Sequence, residues 1–191
     1  MGELLVLASA SVRRALILRA LGVRFRVVAS GADETIAPGE EADATSERLA
    51  RLKAAAVARS EPPPILGADT LVVCEGRRLG KPGSPEEARQ MLRLLSGRTH
   101  EVVTGLCLIA PRTTLSGVER TSVTFASMSA EEIDWYVAGG EPMDKAGGYH
   151  VDGKGALFVS SVTGSPSNVA GLPVRLLLRL AREAGLDVGL P

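Results

Sequence analysis

The chain has 191 residues, of which 45% are hydrophobic and 23% charged, a length and composition that fit one domain or at most two small lobes and exclude a disordered chain. Lysine plus arginine and aspartate plus glutamate number 22 each, so the formal net charge is zero and no global field attracts a polyanion. Aromatic residues make up 3%, too few for a row of base-stacking platforms. We therefore expect no nucleic-acid partner.

The apolar stretches of the chain are too short for a membrane span. Arg19 interrupts the first of them and Arg175 the last, well short of the roughly 20 residues that cross a bilayer. Glu3 stands where a secretory signal carries bases. Cys74 and Cys107 lie in strand-like runs without metal-ligand spacing, which favours two buried free thiols. We expect a cytoplasmic protein with no membrane partner.

Strands and helices alternate in the first part of the chain. The apolar run at residues 4–8 is typical of a strand buried on both faces, and three prolines at 62–64 end the second predicted helix. In chain order we predict a strand over 4–8, a helix from Ser11 to Gly22, a strand over 25–29, a loop over 33–47 with six acids and no base, a helix from about Thr45 to Ser60, and a strand over 65–74.

The second part adds hairpins to this alternation. Ser84 and Ser129 are each followed three residues later by glutamate, which predicts capping boxes at two helix starts. We predict a hairpin turn at 75–77, a helix over 84–95, neighbouring strands over 101–110 and 117–126, a helix from 129 to 139, a strand over 156–162, a loop over 164–172, and a last helix over 173–184. This order predicts an α/β fold with a mixed twisted sheet and flanking helices.

Two arginines stand in the first turn of the first predicted helix. The helix dipole is positive there, so Arg13 and Arg14 are disfavoured unless an anion lies between them. A phosphate contacted by the Ser9 hydroxyl, by backbone amides and by both guanidinium groups would resolve the conflict. The alternative is that both arginines point into solvent or a surface ion pair. Neither a dinucleotide fingerprint nor a P-loop accompanies the turn.

A carboxylate, Asp69, lies within an apolar predicted strand. Burial of an unpaired carboxylate is costly, so Asp69 needs a metal, a lysine or an arginine, and a structural salt bridge remains the alternative to a functional one. Lys81 follows the next hairpin and either folds toward the same sheet end or lies in a plain loop. With Glu34 and Lys53, these residues and the two arginines supply oxygen ligands for a hard divalent cation and cationic groups for a triphosphate.

Six short motifs occur in order across nearly the whole chain: Ser9–Arg14, Gly67–Thr70, Gly80–Pro82, Leu95–Gly105, Asp144–Tyr149 and Asn168–Pro173. On these motifs the sequence resembles the Maf family of nucleoside triphosphate pyrophosphatases. The resemblance implies a single domain over residues 1–191 with two lobes around a deep cleft, related in fold to the inosine triphosphate pyrophosphatases, and frequently a homodimer. It also implies hydrolysis of a nucleoside triphosphate to the monophosphate and pyrophosphate with a divalent metal, Mg²⁺ or Mn²⁺.

The resemblance also implies roles for individual residues. Asp69 matches the catalytic proton acceptor, and the polar ring of the cleft is matched by Ser9, Arg13, Arg14, Glu34, Lys53 and Lys81. We expect water to attack the α-phosphorus, with Asp69 orienting or deprotonating it directly or as a metal ligand and Glu34 sharing the metal. Arg13, Arg14, Lys53 and Lys81 hold the phosphates. His100 and His150 are expected to be structural or surface residues.

The base of the substrate depends on three further positions. Thr70 and Tyr149 resemble the branch that acts on dTTP and UTP rather than the branch that acts on 7-methyl-GTP. Asp152 stands where that branch usually has glutamine, and an ionised aspartate only accepts hydrogen bonds. Asp152 either faces the base or turns toward Lys154 or solvent. Val12 replaces the usual proline of the first motif without removing a functional group.

Two alternative functions remain open at this point. One is a pyrophosphatase for modified nucleotides or for nucleotides outside the standard set. The other is a nucleotide-binding regulator of septum formation, which would bind without turnover. Asp69 and Glu34 argue against the second, because a pure binder gains nothing from acids beside a triphosphate.

Overall fold

The computed structural model describes residues 4–35, 37 and 39–190 and has an α/β fold. Its seven-stranded mixed sheet has the order β2-β1-β3-β5-β6-β7, with β4 beside β3. β1 is parallel to β2 and β3, whereas β4 and β7 are antiparallel to β3 and β6. The strands are β1 (Leu5–Ala8), β2 (Phe25–Val27), β3 (Ile65–Cys74), β4 (Arg77–Leu79), β5 (Thr99–Ile109), β6 (Thr114–Phe125) and β7 (Val159–Thr163). The predicted fold class is confirmed.

Six α-helices flank the sheet in the described part of the chain. They are α1 (Val12–Ala20), α2 (Ala42–Val57), α3 (Pro85–Leu95), α4 (Ala130–Ala138), α5 (Pro166–Val169) and α6 (Val174–Glu183). Short 3₁₀ helices cover Glu141–Asp144, Ala146–Gly148 and Lys154–Phe158. None of the helices built from the described residues is long and apolar enough to cross a membrane.

The chain divides into two compact units. Unit 1 contains the described residues of Met1–Asp69, Thr104–Glu119 and Gly171–Pro191, and unit 2 contains Thr70–Val103 and Arg120–Ala170. The organisation as a single domain and the deep cleft stay predictions.

In unit 1, the alternating side chains of β1 are buried on both faces. Leu5 and Leu7 belong to one apolar cluster, which α1 and α6 complete, while Val6 and Ala8 belong to a second cluster, which α2 completes. This is the arrangement that the continuous apolar run at the start of the chain predicts.

β3 follows the same alternation and thereby determines where Asp69 points. Leu66 and Ala68 belong to the cluster with α1 and α6, whereas Ile65 packs with α2. Because side chains alternate along a strand, Gly67 and Asp69 share the face of Ile65, which α2 covers.

Two glycines allow α2 to lie directly on this face of the sheet. A Cβ atom at Gly67 would lie 2.1 Å from the Ala50 carbonyl oxygen, and one at Gly105 would lie 2.3 Å from the Ser46 carbonyl oxygen. The helix therefore approaches the strands at a distance that any larger side chain would block.

Unit 2 has its own apolar core around α3, α4 and Phe125. His100 lies in this core, with 1% of its surface exposed. Cys74 of unit 2 and Cys107 of unit 1 are buried free thiols, as predicted.

The second helix differs from its prediction at both ends. α2 begins at Ala42, one turn before the predicted start at Thr45, because Asp43 in the first turn favours the positive end of the helix. It ends at Val57 rather than Ser60, ahead of the three prolines that restrict the residues before them. The acidic segment predicted as a loop over 33–47 is therefore helical from Ala42 onward.

Smaller differences occur at turns and short elements. β2 ends at Val27 rather than at residue 29. Residues 156–158, predicted as strand, belong to a 3₁₀ helix, and the predicted loop over 164–172 contains α5, which Ser165 caps. The box at Ser84 is incomplete, because the Glu87 carboxylate accepts from the Gly83 amide. The box at Ser129 is complete.

Candidate functional site

A cluster of charged side chains in unit 1 brings predicted site residues together. Lys53 Nζ lies 2.7 Å from Asp69 Oδ1 and 2.9 Å from Glu34 Oε2. The side chains of Lys53 and Asp69 are each 8% exposed, whereas that of Glu34 is 58% exposed. The cation that the buried Asp69 requires is therefore a lysine, one of the three alternatives that the sequence left open.

The packing of α2 on β3 explains why this lysine reaches the carboxylate. Ala50 and Ala54, one turn apart on α2, contact Gly67, and Lys53 lies between them in the sequence on the same side of the helix. Asp69 follows Gly67 by two residues and points to the same face. Small residues at the crossing thus place the ammonium group beside Asp69, in the middle of β3.

The second oxygen of Asp69 is buried and has no hydrogen-bond partner among the described residues. A carboxylate oxygen left without a partner is costly, and such exceptions in folded proteins call for an explanation. This oxygen is free to accept a proton from water or to ligate a hard cation.

Arg14 packs inward beside this cluster. Ser11 caps α1 by accepting the Arg14 amide, while the buried guanidinium group donates from Nε to the Gly171 carbonyl at 2.8 Å and from Nη1 to Ser9 Oγ at 2.9 Å. Burial lowers the pKa of Arg14 to about 10, and the charge of Asp69 acts in the opposite direction. Arg14 is therefore a fixed cation at neutral pH, and the alternative that it points into solvent is excluded.

Arg13 adds a second positive charge to the same turn. It is half-buried, and its charge contributes to the lowered pKa of Arg14. Ser9, with 7% of its surface exposed, orients the Arg14 guanidinium group. Two like charges at a helix start repel each other, and an anion such as phosphate between them would relieve that repulsion.

Arg48 of α2 holds the segment that carries Glu34, and the sequence analysis missed it. Its Nε and Nη2 atoms donate to both carboxylate oxygens of Glu40 at 2.7 Å, and Nη2 also donates to the Thr35 carbonyl at 3.2 Å. The hydrogen bonds from Arg48 lower the pKa of Glu40 to about 2. A base five residues before Lys53, next to an acidic segment, was the available signal.

Other predicted site residues belong to unit 2. Thr70 is half-buried on β3, and Lys81 is exposed in the segment after β4. The Gly80 carbonyl accepts the Gly147 amide at 3.0 Å, which joins the Lys81 segment to the Asp144–Tyr149 motif. These contacts tie two of the six motifs together within the unit.

Tyr149 is a core residue of unit 2. It is 4% exposed, its hydroxyl lies 2.8 Å from His100 Nε2, and its ring meets those of His100 and Phe125 edge to face. Burial lowers the pKa of His100 to about 4, so its imidazole is neutral at neutral pH. The structural placement predicted for His100 is confirmed.

Asp152 is exposed and forms no ion pair within the described part of the chain. Of the two partners left open for an Asp152 that turns away from the base, solvent agrees with its exposure, whereas the Lys154 ammonium lies over the Trp135 ring, 5.3 Å from its centroid. A cation–π contact with a partly exposed tryptophan competes with a surface ion pair, because an exposed ion pair contributes little to the free energy of folding.

The two carboxylates predicted as metal ligands, Asp69 and Glu34, both pair with Lys53. Nowhere in residues 4–35, 37 and 39–190 do three or more His, Cys, Asp or Glu side chains gather into a metal site. The carboxylates of Asp69 and Glu34, 2.7 and 2.9 Å from one cationic group, nevertheless fit a hard cation, which prefers oxygen ligands and takes the remainder from water and phosphate. The residues present therefore fit Mg²⁺ or Mn²⁺ bound together with a triphosphate.

Comparison with known proteins shows the family of the chain. The family model described as "Maf-like protein" matches residues 4–184. The chain belongs to the Maf-like family. A dTTP/UTP pyrophosphatase from Bacillus cereus (strain B4264) is 46% identical over 185 residues, covering 96% of this chain and 97% of that relative. A Bacillus anthracis protein of the same name has the same identity and coverage.

Solved structures resemble the Maf-like chain in fold. The Staphylococcus aureus Ham1 protein has a TM-score of 0.54 at 14% identity, covering 95% of this chain and 99% of that one. A HAM1 protein from Coxiella burnetii has a TM-score of 0.50 at 15% identity, with 94% and 98% covered. At these identities the likeness concerns the fold alone.

Proposed function

We propose that this Maf-like protein is a nucleoside triphosphate pyrophosphatase that hydrolyses dTTP and UTP to the monophosphate and pyrophosphate, as a housecleaning activity for nucleotide pools. The observation that carries the proposal is the buried Asp69, paired through one oxygen with Lys53 and unpaired at the other. The relatives named dTTP/UTP pyrophosphatase, which align over 96% of the chain, support the substrates.

In the proposed mechanism, Asp69 acts on the attacking water. In the metal-free protein Lys53 holds Oδ1, which leaves Oδ2 of the carboxylate as the acceptor for the proton of water aimed at the α-phosphorus. Asp69 and Glu34 would hold the divalent metal, which supplies Lewis-acid stabilisation of phosphoryl oxygens when bound. The Maf-like chain itself provides the base and its orientation.

The arginines of α1 act on the phosphates. Arg14 is fixed by Ser9 and by the Gly171 carbonyl, and Arg13 lies beside it in the same turn. Preorganised cations stabilise the charge that builds up on the leaving pyrophosphate without reorganising during the reaction. In this proposal, Lys81 contributes a further cation to the phosphates.

Base selection is proposed for residues of unit 2. Thr70 contacts the nucleotide, Asp152 faces the base or solvent, and Tyr149 acts through its position in the core, since its hydroxyl is already bonded to His100. The homodimer and the cytoplasmic location remain part of this proposal.

One assay distinguishes the proposed function from the alternatives. The purified protein is incubated with Mg²⁺ or Mn²⁺ and each of a panel of standard and modified triphosphates, and monophosphate, pyrophosphate, diphosphate and orthophosphate are quantified separately. We expect equal amounts of monophosphate and pyrophosphate from dTTP and UTP, and none after chelation.

The other outcomes have clear meanings. Orthophosphate with a nucleoside diphosphate as the main products contradicts attack at the α-phosphorus. Binding of dTTP without turnover favours a nucleotide-binding regulator of septum formation. Turnover confined to modified nucleotides favours a pyrophosphatase for those nucleotides.

A further inference from the structure

We infer that the Lys53 ammonium group occupies the position of the divalent cation in the metal-free protein, and that cation binding displaces it toward the substrate phosphates. This inference rests on the proposed function, because it assumes that the two carboxylates of the unit 1 site bind a metal. On this inference the cation replaces Lys53 at Asp69 Oδ1, Oδ2 stays the proton acceptor of the proposed mechanism, and Lys53 moves to the phosphates.

The Lys53 ammonium group lies where a cation shared by the two carboxylates would bind. Lys53 Nζ lies within hydrogen-bond distance of both carboxylates, 2.7 Å from Asp69 and 2.9 Å from Glu34. A magnesium-type cation holds its oxygen ligands at roughly 2.0–2.1 Å, so a cation ligated by both groups has to lie in the space between them. Nζ fills that space.

Electrostatic repulsion also favours this displacement. An ammonium group and a divalent cation repel each other strongly at contact distance inside a protein, where the effective dielectric constant is low. The two carboxylates carry two negative charges, which one lysine half neutralises and one divalent cation neutralises fully. Once the metal is bound, the carboxylates no longer hold the lysine.

The lysine side chain, rather than α2 as a whole, is the part of the structure that can move when the metal binds. α2 is fixed on the sheet by the contacts of Gly67 with Ala50 and Ala54, so a shift of the whole helix is resisted. The lysine side chain is a compact charge on a flexible four-carbon stem. We therefore assign the displacement to the side chain, and the triphosphate is the anion that then accepts it.

The test measures Mn²⁺ binding without nucleotide, by electron paramagnetic resonance of free Mn²⁺ at neutral pH. It compares the wild type with Lys53→Met and Arg51→Met. Arg51 is the matched control, because it lies on the same helix, is half-exposed and pairs only weakly with Glu47, at 3.3 Å. Its replacement removes one positive charge from the same helix without vacating the space between the carboxylates.

We expect Lys53→Met to bind Mn²⁺ roughly tenfold or more tightly than the wild type, since removal of a competing cation at contact distance acts on the affinity directly. Arg51→Met should change the affinity less than about twofold, because exposed charges are screened. In thermal melts, Mn²⁺ should raise the melting temperature of Lys53→Met more than that of the wild type.

A second measurement uses the wild type and does not depend on the folding of a variant. Lysines are acetylated briefly with and without Mn²⁺, and each site is quantified by mass spectrometry. Lys53, 8% exposed and paired twice, should be protected without metal and should react several-fold faster with it. Lys154, which lies over Trp135, should react equally in both conditions.

Unchanged or weaker Mn²⁺ binding in Lys53→Met, or Lys53 labelling that does not respond to Mn²⁺, overturns the inference. Neither measurement contains a nucleotide, so both are independent of turnover. A protein that shows the exchange but hydrolyses neither dTTP nor UTP would contradict the proposed function and leave the exchange intact.

Discussion

At the scale of single residues, Asp69 combines a fixed oxygen with an unpaired one. Replacement by asparagine keeps an oxygen that accepts from Lys53 but removes the basic oxygen that is proposed to take the proton. For Asp69→Asn we expect kcat to fall by roughly 10²–10⁴-fold, the range for loss of a positioned acid–base group. Nucleotide affinity should be retained, because one negative charge leaves the phosphate site. Steady-state kinetics and equilibrium binding of dTTP check both parts.

The matched control is Asp134→Asn. Asp134 is an exposed carboxylate of unit 2 that pairs with Arg89 at 2.7 Å, so its replacement removes the same charge by the same change. We expect near wild-type turnover. If a folded Asp69→Asn protein also keeps near wild-type turnover, the proposed role of Asp69 is wrong.

His100 makes the stability of the protein depend on pH. Burial lowers its pKa from 6.5 to about 4 in the folded state. Between these two values the unfolded chain binds a proton that the folded protein does not, so the free energy of unfolding is highest above pH 6.5 and falls as the pH drops toward 4. The contribution of this group is on the order of 3 kcal/mol, since each pKa unit corresponds to about 1.4 kcal/mol.

Denaturant titrations of the wild type and His100→Gln at several pH values between 7 and 4 test this expectation. The variant lacks the titrating group, so its free energy of unfolding should fall less steeply over this range. It should also be less stable at pH 7, because the partner of the Tyr149 hydroxyl changes. Parallel pH profiles for the two proteins would show that His100 does not cause the slope.

At the scale of elements, the crossing of α2 over β3 depends on Gly67. A methyl group there would lie 2.1 Å from the Ala50 carbonyl oxygen, and a backbone atom cannot move away as a side chain can. For Gly67→Ala we expect destabilisation by at least roughly 1–3 kcal/mol, the range for overpacking, and a larger loss of kcat/KM because Lys53 shifts with the helix. Denaturant unfolding and dTTP kinetics measure the two effects.

Gly80→Ala is the control for this substitution. A Cβ atom at Gly80 meets nothing within 4 Å, and the backbone there does not require glycine. The same added methyl group should therefore leave the free energy of unfolding nearly unchanged. A Gly67→Ala protein as stable as Gly80→Ala would contradict the close approach of α2.

The sequence predicted the elements best where local signals agreed. The apolar run of β1, the capping box at Ser129 and the last helix predicted over 173–184 all correspond to elements that the structure contains. The predictions of short elements were wrong because one residue type can favour two structures. Ser165 and Pro166 favour loops as well as helix starts, and here they begin a helix of one turn. Residues 156–158 were predicted as strand from their hydrophobicity. Hydrophobicity alone does not distinguish a short strand from the 3₁₀ helix that these residues form.

At the scale of the whole molecule, the sequence predicted which residues carry the chemistry but not how they contact one another. That Asp69 needs a cation followed from its position in an apolar strand. Which cation it contacts depends on how α2 crosses β3, and Gly67 and the alanines of α2 determine this crossing. Lys53 and Asp69 are 16 positions apart in the sequence, so no local pattern links them. Arg48 was missed because its hydrogen bonds to Glu40 and Thr35 depend on the path of an acidic loop. Long-range packing leaves little trace in local sequence patterns.

The last prediction concerns the base of the substrate. The relatives named dTTP/UTP pyrophosphatase and the residues Thr70 and Tyr149 favour these two nucleotides, whereas Asp152 departs from the usual glutamine. Because Asp152 is exposed and Lys154 lies over Trp135, the carboxylate is hydrated and loses that hydration if it contacts a base. We therefore expect dTTP and UTP to have the highest kcat/KM among standard nucleotides, with weaker discrimination against CTP than in Asp152→Gln.

Values of kcat/KM for dTTP, UTP, CTP and 7-methyl-GTP in the wild type and in Asp152→Gln show which base is preferred and whether residue 152 contacts it. Glutamine can donate to a pyrimidine carbonyl and accept from its ring N–H, so the variant should favour dTTP and UTP over CTP by a further factor of roughly 10 if residue 152 reaches the base. Equal ratios in both proteins would place Asp152 away from the base and leave the dTTP/UTP preference to other residues. A clear preference for 7-methyl-GTP in both proteins would contradict the proposed substrates, because the branch assignment from Thr70 and Tyr149 would then be wrong.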